Sequence, residues 1–146
     1  MSSNENIDPL LTIRGLGEMM SDIPENLFYT AEHEWIRVEG SEIVVGITDH
    51  AQDALTDIVY VELPDIGVDV GKDDEFASVE SVKSVSGIFA PIAGSITDVN
   101  QELDDAPELM NEDPYGAGWI VRITPTNMDE TSTFLNAAAY RECIGE

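Results

Sequence analysis

FASVESVKSVSGIF, residues 76–89, is the stretch that best indicates which architecture this chain adopts. β-Branched residues alternate with small polar residues on both sides of Lys83, a pattern typical of strands. Val79, Val82 and Val85 also have a spacing of three, which a helix would align on one face. β-Branched residues and serines disfavour helix interiors, however. The stretch therefore predicts a β-hairpin with Lys83 at its tip.

Strand patterns continue on both sides of this hairpin. Upstream, EWIRVEG and SEIVVGIT predict a hairpin that turns at Glu39–Gly40, and DIVYVELP predicts a strand ending at Pro64. TDHAQDAL predicts a short helix that begins near Thr48–Asp49. The segment IGVDVGKDDE, which follows Pro64, is rich in turn residues and predicts a connection without regular structure.

Downstream, SGIFAPIAGSITDVN predicts two strands joined by a turn at Pro91–Gly94, and WIVRITPT predicts a last strand. QELDDAPELMNEDPYGAG holds one short helical piece and a Pro-Gly loop, and the tail MDETSTFLNAAAYREC is predicted to be helical. Strands at intervals of roughly 8 to 12 residues, separated by Gly and Pro turns, indicate a small β-sandwich or barrel with short helices.

The charge balance limits the possible partners. The 146 residues include 30 Asp and Glu against six Lys and Arg, a net charge of −24. This surface repels phosphate backbones, so we expect no binding to nucleic acid, and it favours partners with basic docking faces. Adaptation to high salt would produce a similar excess of acids.

The hydropathy pattern bears on localisation. No run approaches the roughly 18 apolar residues of a membrane span. The first residues, MSSNENIDPL, lack the basic and apolar regions of a secretory signal and are too acidic for a mitochondrial transit peptide. We expect a cytoplasmic protein, or one of the mitochondrial matrix if the chain is a processed eukaryotic protein.

Lys83 is one of only two lysines, and three interpretations of it compete. The first is an ordinary exposed turn lysine. The second, a nucleophilic amine, requires the unprotonated form, which a net charge of −24 disfavours. The third is a lysine presented to another enzyme for acylation, which needs a protruding side chain with small neighbours such as Ser81 and Ser84. Residue chemistry alone leaves these interpretations open.

Several motifs together resemble the H protein of the glycine cleavage system. They are EHEW, GITDHAQDAL, VELPDIG, VESVKSVS, APIAG, NEDPYGAGW and an Ala-Tyr pair near the C-terminus, in the order and spacing of that family over residues 24–142. The resemblance implies an all-β fold with short helices, a flattened β-barrel or sandwich of the lipoyl/biotinyl-domain type, plus a C-terminal helix. Residues 1–23 would form an N-terminal extension, expected to be flexible, and residues 24–146 the lipoyl-carrier domain.

The residues around Lys83 distinguish this family from its relatives. Biotin carriers typically place Met on both sides of the lysine, whereas Val82 and Ser84 stand there in this chain. Lipoyl domains of the 2-oxoacid dehydrogenases usually have Asp directly before the lysine; here the acid is Glu80. The resemblance therefore implies lipoate in amide linkage on Lys83, with Glu80, Ser81, Val82 and Ser84 as the context of the modification site.

The implied function is that of a carrier and not of an enzyme. Lipoate on Lys83 would accept the aminomethyl group of glycine from the pyridoxal-phosphate glycine decarboxylase (P protein). The tetrahydrofolate-dependent aminomethyltransferase (T protein) would take the one-carbon unit, and the flavoprotein dihydrolipoyl dehydrogenase (L protein) would reoxidise the dithiol. A lipoate ligase or lipoyltransferase would modify Lys83. Two alternatives stay open: a relay that donates lipoate to 2-oxoacid dehydrogenase subunits, and an acidic binding module without lipoate.

The family also places acids in a groove that shelters the loaded arm. Through the EHEW segment, the resemblance makes Glu34, and with it Glu32, the candidates to receive the cationic amine. Many family members have Asp four residues after the modified lysine, where this chain has Gly87. We therefore expect that this chain holds its loaded arm more loosely or that another acid takes this role.

Other reactive side chains give no second site. His33 and His50 are the only histidines and lack the spacing of a zinc-protease motif, so we predict no metal site. The single cysteine, Cys143, cannot form an intrachain disulfide, and no neighbour in the sequence suggests an activated thiol.

Overall fold

The computed structural model describes residues 22–145. Of the predicted N-terminal extension, residues 1–21 lie outside the described residues. The strands are β1 Phe28–Tyr29, β2 Glu34–Glu39, β3 Glu42–Ile47, β4 Ile58–Glu62, β5 Asp69–Val70, β6 Glu75–Ser81, β7 Val85–Phe89, β8 Gly94–Val99 and β9 Val121–Pro125. The helices are α1 Asp49–Leu55, α2 Glu102–Asp105, α3 Leu109–Glu112 and α4 Ala137–Cys143, with a 3₁₀ helix at Met128–Thr133.

The strands form two antiparallel sheets. The larger sheet has the order β1-β2-β3-β9-β8-β5 and the smaller sheet has the order β4-β6-β7. Consecutive strands β2–β3 and β6–β7 form the predicted hairpins, whereas β9 inserts between β3 and β8, with Val121 opposite both Val45 and Val99. The predicted β fold with short helices and a C-terminal helix is confirmed, as a sandwich rather than a closed barrel.

The main core lies between the two sheets. Valine, isoleucine and leucine side chains from both sheets and from α2 form one buried cluster, which includes Ile36, Val45, Val79, Ile88 and Leu103. Such side chains suit the pleated inner faces of a sandwich. β7 forms an edge of the smaller sheet, and its residue Ile88 is buried in the core. The strand that follows Lys83 is therefore anchored to the core.

A second buried cluster covers the opposite face of the larger sheet. Trp35 on β2 and Tyr29 on β1 pack there with Tyr140 of α4, and the rings of Tyr29 and Tyr140 stack with centroids 4.8 Å apart. Ile23, the last residue of the predicted extension, is also buried in this cluster. The boundary of the extension near residue 24 stays a prediction.

Three segments differ from the sequence prediction. The connection after Pro64 contains the short strand β5, which pairs with β8. Residues 101–118 contain two single-turn helices, α2 and α3, where one was predicted. In the tail, residues 134–136 interrupt the predicted helix, because the backbone of Leu135 exchanges hydrogen bonds of 2.8 and 2.9 Å with Tyr29. Asn136 then caps α4 by accepting a hydrogen bond from the Ala139 amide.

The sequence predicts neither a membrane span nor a metal site. Between residues 22 and 145, no helix is long and apolar enough to cross a membrane. Within the same range, no cluster of three or more His, Cys, Asp or Glu side chains has the arrangement of a metal site. Cys143 is an exposed free thiol.

Candidate functional site

The β6–β7 hairpin presents Lys83 at its tip, as the sequence predicts. Glu80 pairs with Val85, and the Ser81 amide donates a 2.8 Å hydrogen bond to the Ser84 carbonyl, which leaves Val82 and Lys83 as the two residues of the loop. The Ser81 hydroxyl oxygen accepts hydrogen bonds from the amides of Lys83 (3.1 Å) and Ser84 (3.0 Å). Ser81 is buried and its side chain therefore holds the shape of the tip.

The side chains next to Ser81 project into solvent. Val82, Lys83, Ser84 and Glu80 are all exposed. The Val82 amide donates a 3.0 Å hydrogen bond to the carbonyl of Asp57, which ties the tip to the segment before β4. The tip is thus fixed in its backbone and open in its side chains, as an enzyme that modifies lysine requires.

A cleft begins where the Lys83 amine lies. Its Nζ donates a 3.4 Å hydrogen bond to the carbonyl of Ala54, near the end of α1. Ala54 belongs to the wall of a cavity of about 180 Å³ between α1 and β7, which we call the lysine groove. Its lining residues are Glu32, His33, Ile47, His50, Ala51, Ala54, Leu55, Ser86, Gly87 and Ile88.

Glu32 connects the lysine groove to two further cavities. It also lines a cavity of about 310 Å³ with Asp73 and Phe89, and one of about 330 Å³ that contains Glu34. Asp73 lines both of these cavities, although it lies in the segment that the sequence predicts as a connection without regular structure. Its backbone has a φ of 72°, and its amide donates a 2.8 Å hydrogen bond to the Ala90 carbonyl. Tertiary structure thus adds Asp73 to the two predicted acids.

Glu34 is a buried carboxyl group, 2% exposed, at the start of β2. One carboxyl oxygen accepts a 2.6 Å hydrogen bond from the Thr30 hydroxyl, and the other accepts a 3.3 Å hydrogen bond from the Phe89 amide on β7. Burial raises the pKa of Glu34 to about 7, although the hydrogen bonds from Thr30 and Phe89 oppose this effect. The hydrogen bond from Phe89 thus joins β2 of the larger sheet to β7 of the smaller sheet through Glu34. Because its pKa is about 7, the carboxyl group changes its charge near neutral pH.

The two histidines meet in the lysine groove, which the sequence analysis did not predict. Their ring centroids are 4.9 Å apart, and the Nδ1 atom of His33 lies 2.9 Å from the hydroxyl of Tyr140. Burial, together with the neighbouring His50, lowers the pKa of His33 and so favours the neutral ring. His33 has a φ of 73°, which turns the chain from Glu32 into β2. A positive φ is uncommon at a residue other than glycine. The spacing of the two histidines along the sequence therefore did not indicate that their rings meet.

Gly87 lines the lysine groove four residues after Lys83, and another acid lies directly beside it. A Cβ atom built on Gly87 would lie 2.9 Å from Cδ of Glu75 and 3.1 Å from one of its carboxylate oxygens. The space that a side chain at position 87 would take is therefore filled by the carboxylate of Glu75. From the sequence we expected either a looser hold on the loaded arm or a role for another acid, and Glu75 was not among the predicted residues.

The chemistry of the site suits a covalently attached hydrocarbon arm. The exposed amine at the tip provides the attachment point, and Ala51, Ala54, Leu55 and Ile88 provide apolar wall next to it. The acids Glu32, Glu34 and Asp73 lie at the other end and suit a cationic group. An exposed amine, an apolar wall next to it and carboxyl groups beyond that wall are the arrangement of a carrier site.

Comparison with known proteins agrees with this geometry. The sequence profile of the glycine cleavage H-protein family matches residues 27–146. The glycine cleavage system H protein of Anaeromyxobacter sp. (strain K) is 54% identical over 125 residues, which cover 86% of this chain and 98% of that protein. The corresponding protein of Thermus thermophilus is 53% identical over 123 residues, covering 84% of this chain and 96% of its own.

A solved structure shows the same fold. The crystal structure of a glycine cleavage system H protein from Mycobacterium marinum has a TM-score of 0.77 and 39% sequence identity, and the match covers 85% of this chain and all of the other. Profile, sequence relatives and structure therefore agree over most of the chain. This chain belongs to the glycine cleavage H-protein family, and it is a non-catalytic lipoyl carrier of the glycine cleavage system.

Proposed function

We propose that lipoate is attached in amide linkage to Lys83 and that the chain uses it to carry the aminomethyl group of glycine. The observation that carries this proposal is the exposed Lys83 amine at the hairpin tip, 3.4 Å from the Ala54 carbonyl at the mouth of the lysine groove. The other lysine, Lys72, lines the cavity next to Glu34 and is not on a hairpin tip. Family membership supports the same assignment.

Lipoate supplies a cyclic disulfide that accepts a one-carbon group and becomes reduced. The residues of the chain supply position and shelter. Ser81 holds the backbone of the tip, and the exposed Val82, Ser84 and Glu80 let a modifying enzyme close over it. The apolar walls of the lysine groove favour burial of a hydrocarbon arm, which keeps water from the carried group.

Glu34 and Glu32 are proposed to receive the cationic amine at the end of the arm. A cation that enters the cavity beside Glu34 favours the ionised carboxylate, which burial otherwise disfavours. The charge on Glu34 would then form as the cargo arrives. Glu32 lines all three cavities and so lies along the whole route from Lys83.

The proposed partners are the other components of the glycine cleavage system: the decarboxylase (P protein), the aminomethyltransferase (T protein) and dihydrolipoyl dehydrogenase (L protein). A lipoate ligase or lipoyltransferase would modify Lys83. The net charge of −24 supports docking on basic faces of these enzymes. Because the relatives described above come from bacteria, we propose a cytoplasmic location rather than the mitochondrial matrix.

Intact-mass measurement after incubation with lipoate, ATP and a lipoate ligase tests the attachment site. The wild-type chain and the Lys72→Arg variant are each expected to gain one lipoyl group, and Lys83→Arg none. Lys72→Arg is a matched control, since it removes the only other lysine side chain. Failure of the wild-type chain to gain mass, while a known lipoyl domain is modified in the same tube, would contradict the proposal.

A second measurement separates the carrier from the relay. The lipoylated chain is incubated with glycine and a glycine decarboxylase, and the mass of the bound aminomethyl group is followed. Uptake of this group supports the carrier function. Lipoylation without uptake, combined with transfer of lipoate to a 2-oxoacid dehydrogenase subunit, would favour the relay instead.

A further inference from the structure

A β-bulge places Glu75 on the outer face of the smaller sheet. Glu75 pairs with Phe89 and Ala77 with Ile88, so that β6 has one extra residue at this point. Phe76 and Ala77 are both buried in the core, whereas Glu75 is exposed. Without the extra residue, strand alternation would direct Glu75 to the same side as Ala77, because side chains two residues apart share a face.

Gly87 makes room for the carboxylate of Glu75. A Cβ atom at Gly87 would lie 2.9 Å from Glu75 Cδ and 3.1 and 3.2 Å from its two oxygens, distances at which the neighbour must move. Gly87 also forms part of the wall of the lysine groove. The bulge and the glycine together bring the Glu75 carboxylate beside Gly87, a wall residue of the lysine groove, although Glu75 also lines a separate cavity on the outer face with Glu62.

The Glu75 carboxylate has no cationic partner within the described part of the chain. None of the ion pairs formed within residues 22–145 includes Glu75; they join arginines to Glu25, Glu39 and Glu42. An exposed carboxylate without an internal partner can pair with a cation that arrives from outside. The lysine groove is the route by which the proposed arm would bring such a cation.

We infer that Glu75 binds the cationic amine carried at the end of the arm, in the place that a side chain at position 87 would otherwise occupy. This inference rests on the proposed function, because it assumes an arm attached to Lys83. Glu75 then acts in addition to Glu34 and Glu32, the acids proposed above. The carboxylate comes from the neighbouring strand, so an acid lies beside position 87 although the residue at that position is glycine.

The stability of the loaded protein tests this inference without any partner enzyme. The reduced, lipoylated chain is loaded with formaldehyde and ammonia, which condense with one thiol to form an S–CH₂–NH₂ group and water. In hydrolysis, water adds to this carbon, the C–S bond breaks, and thiol, formaldehyde and ammonia are released. Intact mass followed over time gives the half-life of the loaded form.

Glu75→Gln is expected to shorten this half-life about two- to fivefold at low salt, the range for one exposed ion pair. Added salt should reduce the difference between the variant and the wild type, because salt screens exposed charges. Glu62→Gln is the matched control: Glu62 is exposed on the same sheet and lines the outer-face cavity with Glu75, but it lies on β4, which does not pair with β7, and it does not line the lysine groove. Its loaded half-life should equal that of the wild type.

A carbon NMR spectrum provides a readout that does not depend on the half-life. The side-chain carboxyl resonance of Glu75 should move when the reduced, lipoylated protein is loaded, and that of Glu62 should not. Equal half-lives for Glu75→Gln and Glu62→Gln, with a Glu75 resonance that stays in place on loading, would overturn the inference. Loss of lipoylation at Lys83 would instead overturn the proposed function, so the two failures are distinguishable.

A double variant tests whether the position of the carboxylate is what matters. Glu75→Ala removes the acid, and Gly87→Asp returns a carboxylate to the groove from the other strand. Gly87 lacks a positive φ, so an aspartate is compatible with its backbone. The double variant should recover most of the half-life that Glu75→Ala loses. If the half-life stays at the level of Glu75→Ala, the carboxylate beside position 87 does not hold the amine.

Discussion

Replacement of Glu34 by glutamine should make the protein more stable at pH 8, although it removes a proposed binding group. The folded protein holds the pKa of Glu34 at about 7, against an ordinary value of 4.5. Between these values the folded state binds more protons at this group than the unfolded state does. Stability from this group is therefore fully present below pH 4.5 and is lost as the pH rises toward 7.

The magnitude follows from the difference of the two pKa values. At about 1.4 kcal/mol for each pH unit, ionisation of Glu34 lowers the free energy of unfolding by about 3 kcal/mol at pH 8. Glutamine keeps an oxygen that can accept the hydrogen bond from the Phe89 amide, and it does not ionise. The variant should therefore gain about 3 kcal/mol over the wild type between pH 4 and pH 8.

Urea unfolding of both proteins at a series of pH values measures this difference. All other titrating groups are common to the two proteins, so their contributions cancel when the free energies are subtracted. A difference that stays constant from pH 4 to pH 8 would refute the reasoning, because it would mean that Glu34 ionises as easily in the fold as in the unfolded chain. A shorter half-life of the loaded Glu34→Gln form would show that the buried acid is retained for function.

Two other substitutions examine the scaffold of the site. Ser81→Ala removes the oxygen that accepts hydrogen bonds from two amides at the hairpin tip, and it should cost about 1 kcal/mol in urea unfolding and slow the lipoylation of Lys83. Ser84→Ala, at an exposed side chain, is the control, and equal lipoylation rates for the two variants would contradict this role of Ser81. Gly46→Ala should cost about 1–3 kcal/mol, because its Cβ would lie 2.5 Å from Nε1 of the buried Trp35. An unchanged melting temperature would show that the ring can move aside.

Much of the site lies in local sequence and could be predicted from it. The hairpin around Lys83 follows from β-branched residues on each side of a small polar tip, and Ser81 stabilises that tip through bonds to amides two and three residues ahead. Glu34 was found through a family motif, but its burial was not predicted. That burial depends on the Phe89 amide, 55 residues away in sequence, which reaches Glu34 from the other sheet.

Local pattern and long-range packing therefore account for different parts of this protein. Alternation, turn residues and charge specify the strands, the hairpin tip with Lys83 and the acidic surface, because each depends on neighbours within a few residues. The insertion of β9 between β3 and β8, the two-residue strand β5 and the interruption of the C-terminal helix at Leu135 arise from pairing with distant segments. The same long-range packing brings His33 into the lysine groove, Asp73 into the two cavities that Glu32 also lines, and Glu75 beside Gly87, and no spacing along the chain encodes those positions.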